Sequence, residues 1–326
     1  MGKPGVDRVK VLFICRVFCA RALGSYLRLK DHFDIDVAYS KANQHIFLAD
    51  NVHFYTPNQE GVMEVIQKVQ PDIVHVHNTP DIPSVWARAV FDGPLIHDTH
   101  DFSQDPMIHK MACRVADFNY TVNEQMAEDL SGIIKRPVET YYTCPPRKKV
   151  QLLKARLVDK EIHVGFIGGF HHKETAVIDG KWLSNKFTDM GIHLHVHSQN
   201  FRDILSKYTT KYFHLEDTIP FMDVPTVLSQ YDMGLCMPFD GKNERLIYNY
   251  TYMLPSKLFD YAQAGIPVLC DYRYQTMSKY LLVNNLGMIY TDLDERAIRD
   301  TIEIVPSNDY NVKTVIDCEP YRSLMK

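Results

Sequence analysis

Residues 254–270 read LPSKLFDYAQAGIPVLC. Pro255 and Ser256 mark a helix start, with serine a favoured N-cap, and Leu258, Phe259 and Ala262 repeat at a spacing that gives the helix one buried face. Gly265 closes it as a left-handed C-cap, and IPVLC follows at once as a short apolar run of strand type. A helix handing directly to an apolar strand is one turn of an α/β alternation, and repeats of that unit imply crossover connections and a parallel sheet. Lys257 and Asp260 lie on one side near the start of the helix, where unpaired N–H groups and the helix dipole favour an anion. A phosphate there would be held by amides, Ser256 and Lys257, and Asp260, one turn deeper, could accept hydrogen bonds from two ribose hydroxyls. The competing reading is an i, i+3 surface pair worth about 0.2–0.5 kcal/mol.

The alternation extends in both directions. In the first half VKVLFIC, ARALGSYLRLKDHF, DIDVAYS, HIFL, NVHFYT, EGVMEVIQKVQ, PDIVHVH, a helix near 84–91, PLIHDTH, FNYTVN, EQMAEDLSGII and VETYYT succeed one another. The prolines at 145 and 146 and the basic run RKKVQLLKARLVDKE read as a connector. The pattern restarts at IHVGFIG and runs through a helix near 174–189, IHLHVHS, FRDILSKY, YFHLE, VPTVLSQY, DMGLCMP, the quoted stretch, a helix from about 275, GMIY and DERAIRDTIEIV. The expected organisation is an α/β domain over 1–146, a linker over 147–160, a second α/β domain over 161–306, and a segment over 307–326 that packs back on the first domain. A length of 326 residues suits two cores better than one.

Bulk properties exclude several classes. A formal charge of −4 gives no global basic field for nucleic acid. No run reaches the ~18 apolar residues of a membrane span, and no signal-peptide pattern opens the chain. Seven cysteines are odd in number and lack a C-x-x-C pair, as expected of reduced thiols. The expected location is cytoplasmic, free or peripheral to a membrane, with no integral membrane segment.

The run DMGLCMPFDGKNERLIYNYTYMLPSKLFDYAQAGIPVL, with QPDIVHVHN, PLIHDTHD, ADFNYTVNEQMAEDL and HVGFIGG in that order, resembles the retaining GT-B glycosyltransferases of the family 4 type (glycosyl transferases group 1). The resemblance spans Val9 to about Val305 and implies a GT-B-like α/β fold, two Rossmann-like domains whose parallel sheets face a central cleft. It implies a hexosyl- or pentosyltransferase that binds a nucleoside-diphosphate sugar mainly on the second domain and needs no cofactor or metal. The acceptor is not written in any motif: a glycan, a lipid-linked sugar, a small molecule and modified nucleic acid all remain open.

The resemblance also assigns residues. Asp260 stands where the family's ribose-binding acid, usually glutamate, is found, and Tyr252 stands where a second acid is common. Pro255, Ser256, Lys257 and Leu258 share that helix start. Gly168 and Gly169 form the turn that approaches the diphosphate, with His171, His172 and above all Lys173 as its basic neighbours. Thr218 and Ile219 fall where the family's backbone meets the base. His100 matches the active-site histidine that contacts the donor sugar, so the catalytic set is His100, Lys173 and Lys257. Asp98 and Asp101 flank His100 and could orient its ring or bond an acceptor; Arg16 and Arg21, in the first strand-to-helix stretch, could meet phosphate or an anionic acceptor, or equally cap the cleft rim.

Three alternatives stand beside this. HVH at 75–77 and HVH at 195–197 place pairs of histidines on single strand faces, which invites a metal-dependent hydrolase. Neither pair comes with an H-E-x-x-H pattern, and two histidines per strand do not complete a site. A sugar-nucleotide epimerase on a related frame, or a nucleotide-sugar-binding protein without catalysis, would share most of these features.

Overall fold

The computed structural model describes residues 8–78, 80–102, 105–142, 160–170, 172–237 and 250–305. The chain forms two compact units, and among the described residues the division falls between Tyr142 and Lys160. The expected linker, except Lys160, and the expected terminal segment over 307–326 lie outside the described residues.

The first unit runs β1 (Lys10–Cys15), α1 (Ala20–Leu29), β2 (Asp34–Tyr39), β3 (Asn51–Phe54), α2 (Gln59–Val69), β4 (Ile73–His77), α3 (Ile82–Arg88), β5 (Leu95–Thr99), α4 (Pro106–Val115), β6 (Phe118–Thr121), α5 (Glu124–Ile134) and β7 (Glu139–Thr140). Its parallel sheet has the order β3-β2-β1-β4-β5-β6-β7. Val11 to Ile14 of β1 are fully buried, as a strand covered on both faces requires. One face packs Leu12, Ile14, Val74, Val76 and Leu95 against α2 and its neighbours. Two differences from the sequence expectation stand out. HIFL belongs to a 3-10 helix, Gln44–Leu48, rather than a strand. Helix α4 was not anticipated, although Asp105 caps it by accepting hydrogen bonds from the amides of Met107 and Ile108.

The second unit runs β8 (His163–Ile167), α6 (Lys173–Met190), β9 (His193–His197), α7 (Arg202–Leu205), β10 (Phe213–Glu216), α8 (Val224–Leu228), β11 (Met233–Cys236), α9 (Ser256–Gln263), β12 (Val268–Asp271), α10 (Gln275–Val283), β13 (Gly287–Tyr290) and α11 (Glu295–Ile304). Its parallel sheet has the order β10-β9-β8-β11-β12-β13, the doubly wound order whose reversal point lies beside the first strand. Val164, Phe166, Leu194, Val196 and Phe213 supply the core on one face. No helix among the described residues is long and apolar enough to cross a membrane.

Candidate functional site

In the second unit the chain leaves β8 through Gly168 and Gly169 before α6. Gly168 has φ 139°, a conformation open to glycine and costly to other residues. Asn200 fixes the turn: its Oδ1 accepts from the Phe170 amide at 3.0 Å, and its Nδ2 donates to the Phe170 carbonyl. The Gly168 amide is committed to the His197 carbonyl at 3.2 Å. A side chain on Gly168 would begin 3.1 Å from Nζ of Lys257, so the lysine amine hangs directly over the turn.

Lys257 reaches that position from the first turn of α9. The helix is fixed by Tyr261, whose hydroxyl accepts from the Ile167 amide at 3.1 Å and lies 3.2 Å from the carbonyls of both Gly165 and Leu235. Gly234 makes room for this ring, since a Cβ there would fall 2.4 Å from it. The Lys257 ammonium lies 4.8 Å from the centre of the Phe166 ring. Among the described residues it makes no hydrogen bond or ion pair. Burial lowers its pKa, against the attraction of Cys236 and Asp260. Asp260 is 6% exposed. These facts dispose of the surface-pair reading: the acid is buried and the lysine is not bonded to it. A half-buried ammonium with no hydrogen bond or ion pair among the described residues, beside a glycine turn at a helix start, can receive an anion.

The other residues expected here are placed as follows. Pro255, not Ser256, is the N-cap, and Ser256 is the first helical residue. Leu258 is fully buried and its amide bonds to the Pro255 carbonyl at 3.1 Å, so it serves the core and has no amide to offer a ligand. Lys173 is the first residue of α6 and is exposed; His172, its N-cap, is exposed as well. Thr218 is exposed and Ile219 buried in the loop after β10. Tyr252 is half-buried, and His171 lies outside the described residues.

In the first unit the strand register sets His77 opposite Asp98, and Asp98 is fully buried. Arg21 grips it from α1, with Nε 3.0 and 2.9 Å from its two oxygens and one terminal nitrogen 2.6 Å from Oδ1. Arg21 also donates to the carbonyls of Tyr141 and Thr121. This corrects the expectation that Arg21 meets an anionic acceptor: it is 4% exposed and its charge belongs to Asp98. Arg16 is exposed, and its carbonyl accepts from the amides of Ser40 and Lys41. The carbonyl of Asp101, a half-buried residue, accepts from Asn78 at 2.8 Å.

Oδ2 of Asp98 is 3.2 Å from Nδ1 of His77 and 3.4 Å from Nε2 of His100, and those two nitrogens are 3.3 Å apart. His100 turns its other nitrogen, Nδ1, to Sγ of Cys19 at 3.8 Å. Burial opposes charge on His100, but Cys19 and Asp98 together raise its pKa to about 9. Burial alone would raise the Cys19 thiol; His100 and the amides of Ala22 and Arg21 lower it below its ordinary value. Asp98 is held well below the carboxylate range, because Arg21 and His100 outweigh its burial. Burial keeps His75 and His77 neutral. Asp98 thus lies within reach of the His100 ring as well as of His77. Cys19 was missed; its only sequence signal was a place before a helix in the first strand-to-helix loop.

Among the described residues, three histidine-containing groups have ligand atoms within 4.8 Å of one another: His75, His77 and Asp98; His97, His109 and Cys113; and His163, His193 and His195. His75 and His77 thus share a group with Asp98, whereas of the second HVH only His195 joins one, with His163 and His193. A dication bound to Asp98 would, however, face the Arg21 guanidinium that already neutralises it. In the second group both His97 and His109 contact Oδ1 of Asp81, at 3.2 and 3.0 Å. In the third, His163 pairs with His195 at 2.9 Å and His193 with His214 at 2.8 Å, while His195 and His193 bond Glu216 and Glu161.

No protein-family model matches the chain, and no curated protein sequence does. Solved structures do. The chain is similar to Anabaena HepE in complex with UDP, with a TM-score of 0.61 at 14% identity, covering 91% of this chain and 89% of that one. It is similar to the UDP-GlcNAc 2-epimerase of Methanocaldococcus jannaschii, with a TM-score of 0.57 at 10% identity over 94% of each chain. The calicheamicin glycosyltransferase CalG4 matches with a TM-score of 0.55 at 12% identity, covering 98% of this chain and 95% of that one. The shared feature is the fold, two parallel-sheet Rossmann-like units of GT-B type, which both glycosyltransferases and sugar-nucleotide epimerases use.

Proposed function

We propose that this chain is a glycosyltransferase that moves a sugar from a nucleoside-diphosphate sugar to an acceptor hydroxyl with retention of anomeric configuration. The observation that carries the reading is the half-buried Lys257 amine over the Gly168 turn, without a hydrogen bond or ion pair among the described residues, with Asp260 buried one turn along the same helix. In this reading the diphosphate meets Lys257, the Gly169 amide and the start of α9, and Asp260 receives the ribose hydroxyls. Lys173, at the start of α6, supplies the outer positive charge. The bond from the anomeric carbon to the diphosphate oxygen breaks and its electron pair leaves with the diphosphate. The acceptor oxygen attacks the same face, and its proton passes to the departing phosphate. The charge that develops is on the leaving group, so prepositioned cations and amides are the main catalytic device. His100 is assigned to the donor sugar. The scheme needs no cofactor besides the donor. The enzyme is read as cytoplasmic, free or at a membrane surface, with the acceptor drawn from glycans, lipid-linked sugars, small molecules or modified nucleic acid.

A second reading, sugar-nucleotide epimerisation, is favoured by one observation. The Cys19, His100 and Asp98 cluster holds an acid and a base in contact, which suits removal and return of a proton on a sugar carbon and is not demanded by transfer. One experiment separates the two. Purified protein is incubated with UDP-, GDP- and ADP-sugars, with and without acceptor mixtures, and free diphosphate and sugar stereochemistry are followed by NMR. Acceptor-dependent release of diphosphate with a retained anomeric centre is expected. Interconversion of the nucleotide sugar without acceptor would move the assignment to an epimerase; no reaction and no binding would overturn both.

A further inference from the structure

Cys19 differs from the other described cysteines in its surroundings. It is half-buried, while Cys15, Cys113, Cys236 and Cys270 are buried. It is the N-cap residue of α1, with extended backbone and no side-chain capping hydrogen bond, so it stands at a helix start, where an anion is favoured. Its Sγ is 3.8 Å from Nδ1 of His100, whose Nε2 is 3.4 Å from Oδ2 of Asp98, and Asp98 is in turn held by Arg21. With the Asp98 carboxylate and the Arg21 guanidinium, a Cys19 thiolate beside a His100 imidazolium and a thiol beside a neutral imidazole both sum to zero charge; Asp98 against the imidazolium and the start of α1 beside the sulfur favour the ion pair. The neighbours add no opposing charge: β1 presents Cys15, whose thiol burial pushes well up, and β4 presents His75 and His77, which burial keeps neutral.

We infer that Cys19, His100 and Asp98 form a nucleophilic thiolate array, and that Cys19 is a modification site for small hydroperoxides and other soft electrophiles. With a hydroperoxide the thiolate sulfur attacks the terminal oxygen. A sulfur–oxygen bond forms and the oxygen–oxygen bond breaks. Sulfur is oxidised to sulfenic acid, the hydroperoxide is reduced to an alcohol or water, and the leaving oxygen takes the Nδ1 proton of His100. With iodoacetamide, the probe for the test, a sulfur–carbon bond forms and iodide leaves with the electron pair. The lowered thiol pKa and the raised imidazole pKa agree with this charge state, while burial pushes Cys113 and Cys236 up to about 12.

The test reads the thiol and so stands apart from any nucleotide activity. Full-length protein is alkylated with limiting iodoacetamide between pH 5.5 and 9.5, and each cysteine is followed by peptide mass spectrometry. Cys19 is expected to react at least about tenfold faster at pH 6.5 than Cys15, Cys113, Cys236 or Cys270, with a midpoint below the ordinary thiol value of about 8.5. His100→Asn should slow Cys19 about tenfold or more at pH 6.5 and little at pH 9.5, where hydroxide ionises the thiol without help. A short hydrogen peroxide pulse should leave dimedone-reactive sulfenic acid on Cys19. A Cys19 midpoint at or above about 8.5 in the unmodified protein, which needs no variant to fold, overturns the inference.

Discussion

Replacing Lys257 by methionine keeps the stem that passes the Phe166 ring and removes only the ammonium. Because that ammonium has no hydrogen bond or ion pair among the described residues, the free protein should lose no more than the contact with the Phe166 ring, about 0.5–1 kcal/mol. The sign of its pKa shift agrees: the folded pKa lies below the ordinary 10.5, so the charge costs stability at neutral pH and the cost fades only as the pH rises toward 10.5. Bound nucleotide is another matter. A hydrogen bond between charged groups contributes about 1.5–3 kcal/mol, so Lys257→Met should weaken a nucleoside diphosphate about 10- to 150-fold. In a thermal-shift assay at a hundred times the wild-type Kd, wild type gains about 2.7 kcal/mol, and a variant weakened a hundredfold gains about 0.4 kcal/mol. At about 2–4 °C per kcal/mol these are shifts of roughly 5–10 °C and about 1 °C. An unchanged ligand-induced shift in the variant, or a free protein that melts more than about 5 °C lower, would refute the reasoning about this lysine.

Gly168→Ala puts a methyl group on a residue at φ 139° and 3.1 Å from the Lys257 amine; a cost of about 1–3 kcal/mol in urea unfolding is expected, with nucleotide binding reduced further. Tyr261→Phe leaves the Ile167 amide without its hydroxyl acceptor and should cost about 1–3 kcal/mol, measured by the same unfolding. The histidine face of the second unit predicts acid sensitivity. Burial and the charges of His195 and His193 lower His214 to about 4, below its unfolded value of about 6.5. Its contribution is therefore complete above pH 6.5 and lost as the pH falls toward 4, and His214→Gln should flatten a melting-temperature profile across that window.

Much of the fold was legible because parallel strands covered on both faces carry uninterrupted apolar runs. VLFIC and IPVLC announce themselves in this way, and Asn and Asp caps bound several helices. Helix α4 was passed over because PMIHKMACRV turns a histidine and a cysteine inward, which masks its apolar stripe; both side chains are buried there. HIFL is apolar yet too short to complete a strand beside β2, and NVHF takes that place. At the site, the glycine turn and the lysine could be singled out locally, but their contact joins residues 168 and 257 through Tyr261, which no local pattern records. Arg21 and Asp98 are separated by 77 residues, so an arginine that looked available for a ligand proves to be the partner of a buried acid. Cys19 was invisible for the same reason: its meaning comes from His100, on another element.

The central claim is that the second unit binds a nucleoside diphosphate against Lys257 and the Gly168 turn. Isothermal titration of the purified chain with UDP, GDP and ADP tests it most directly, with Lys257→Met titrated in parallel. The account predicts that one of the three binds at a single site and that the variant loses at least about tenfold in affinity. Absence of binding for all three, or equal affinity in wild type and variant, would contradict it.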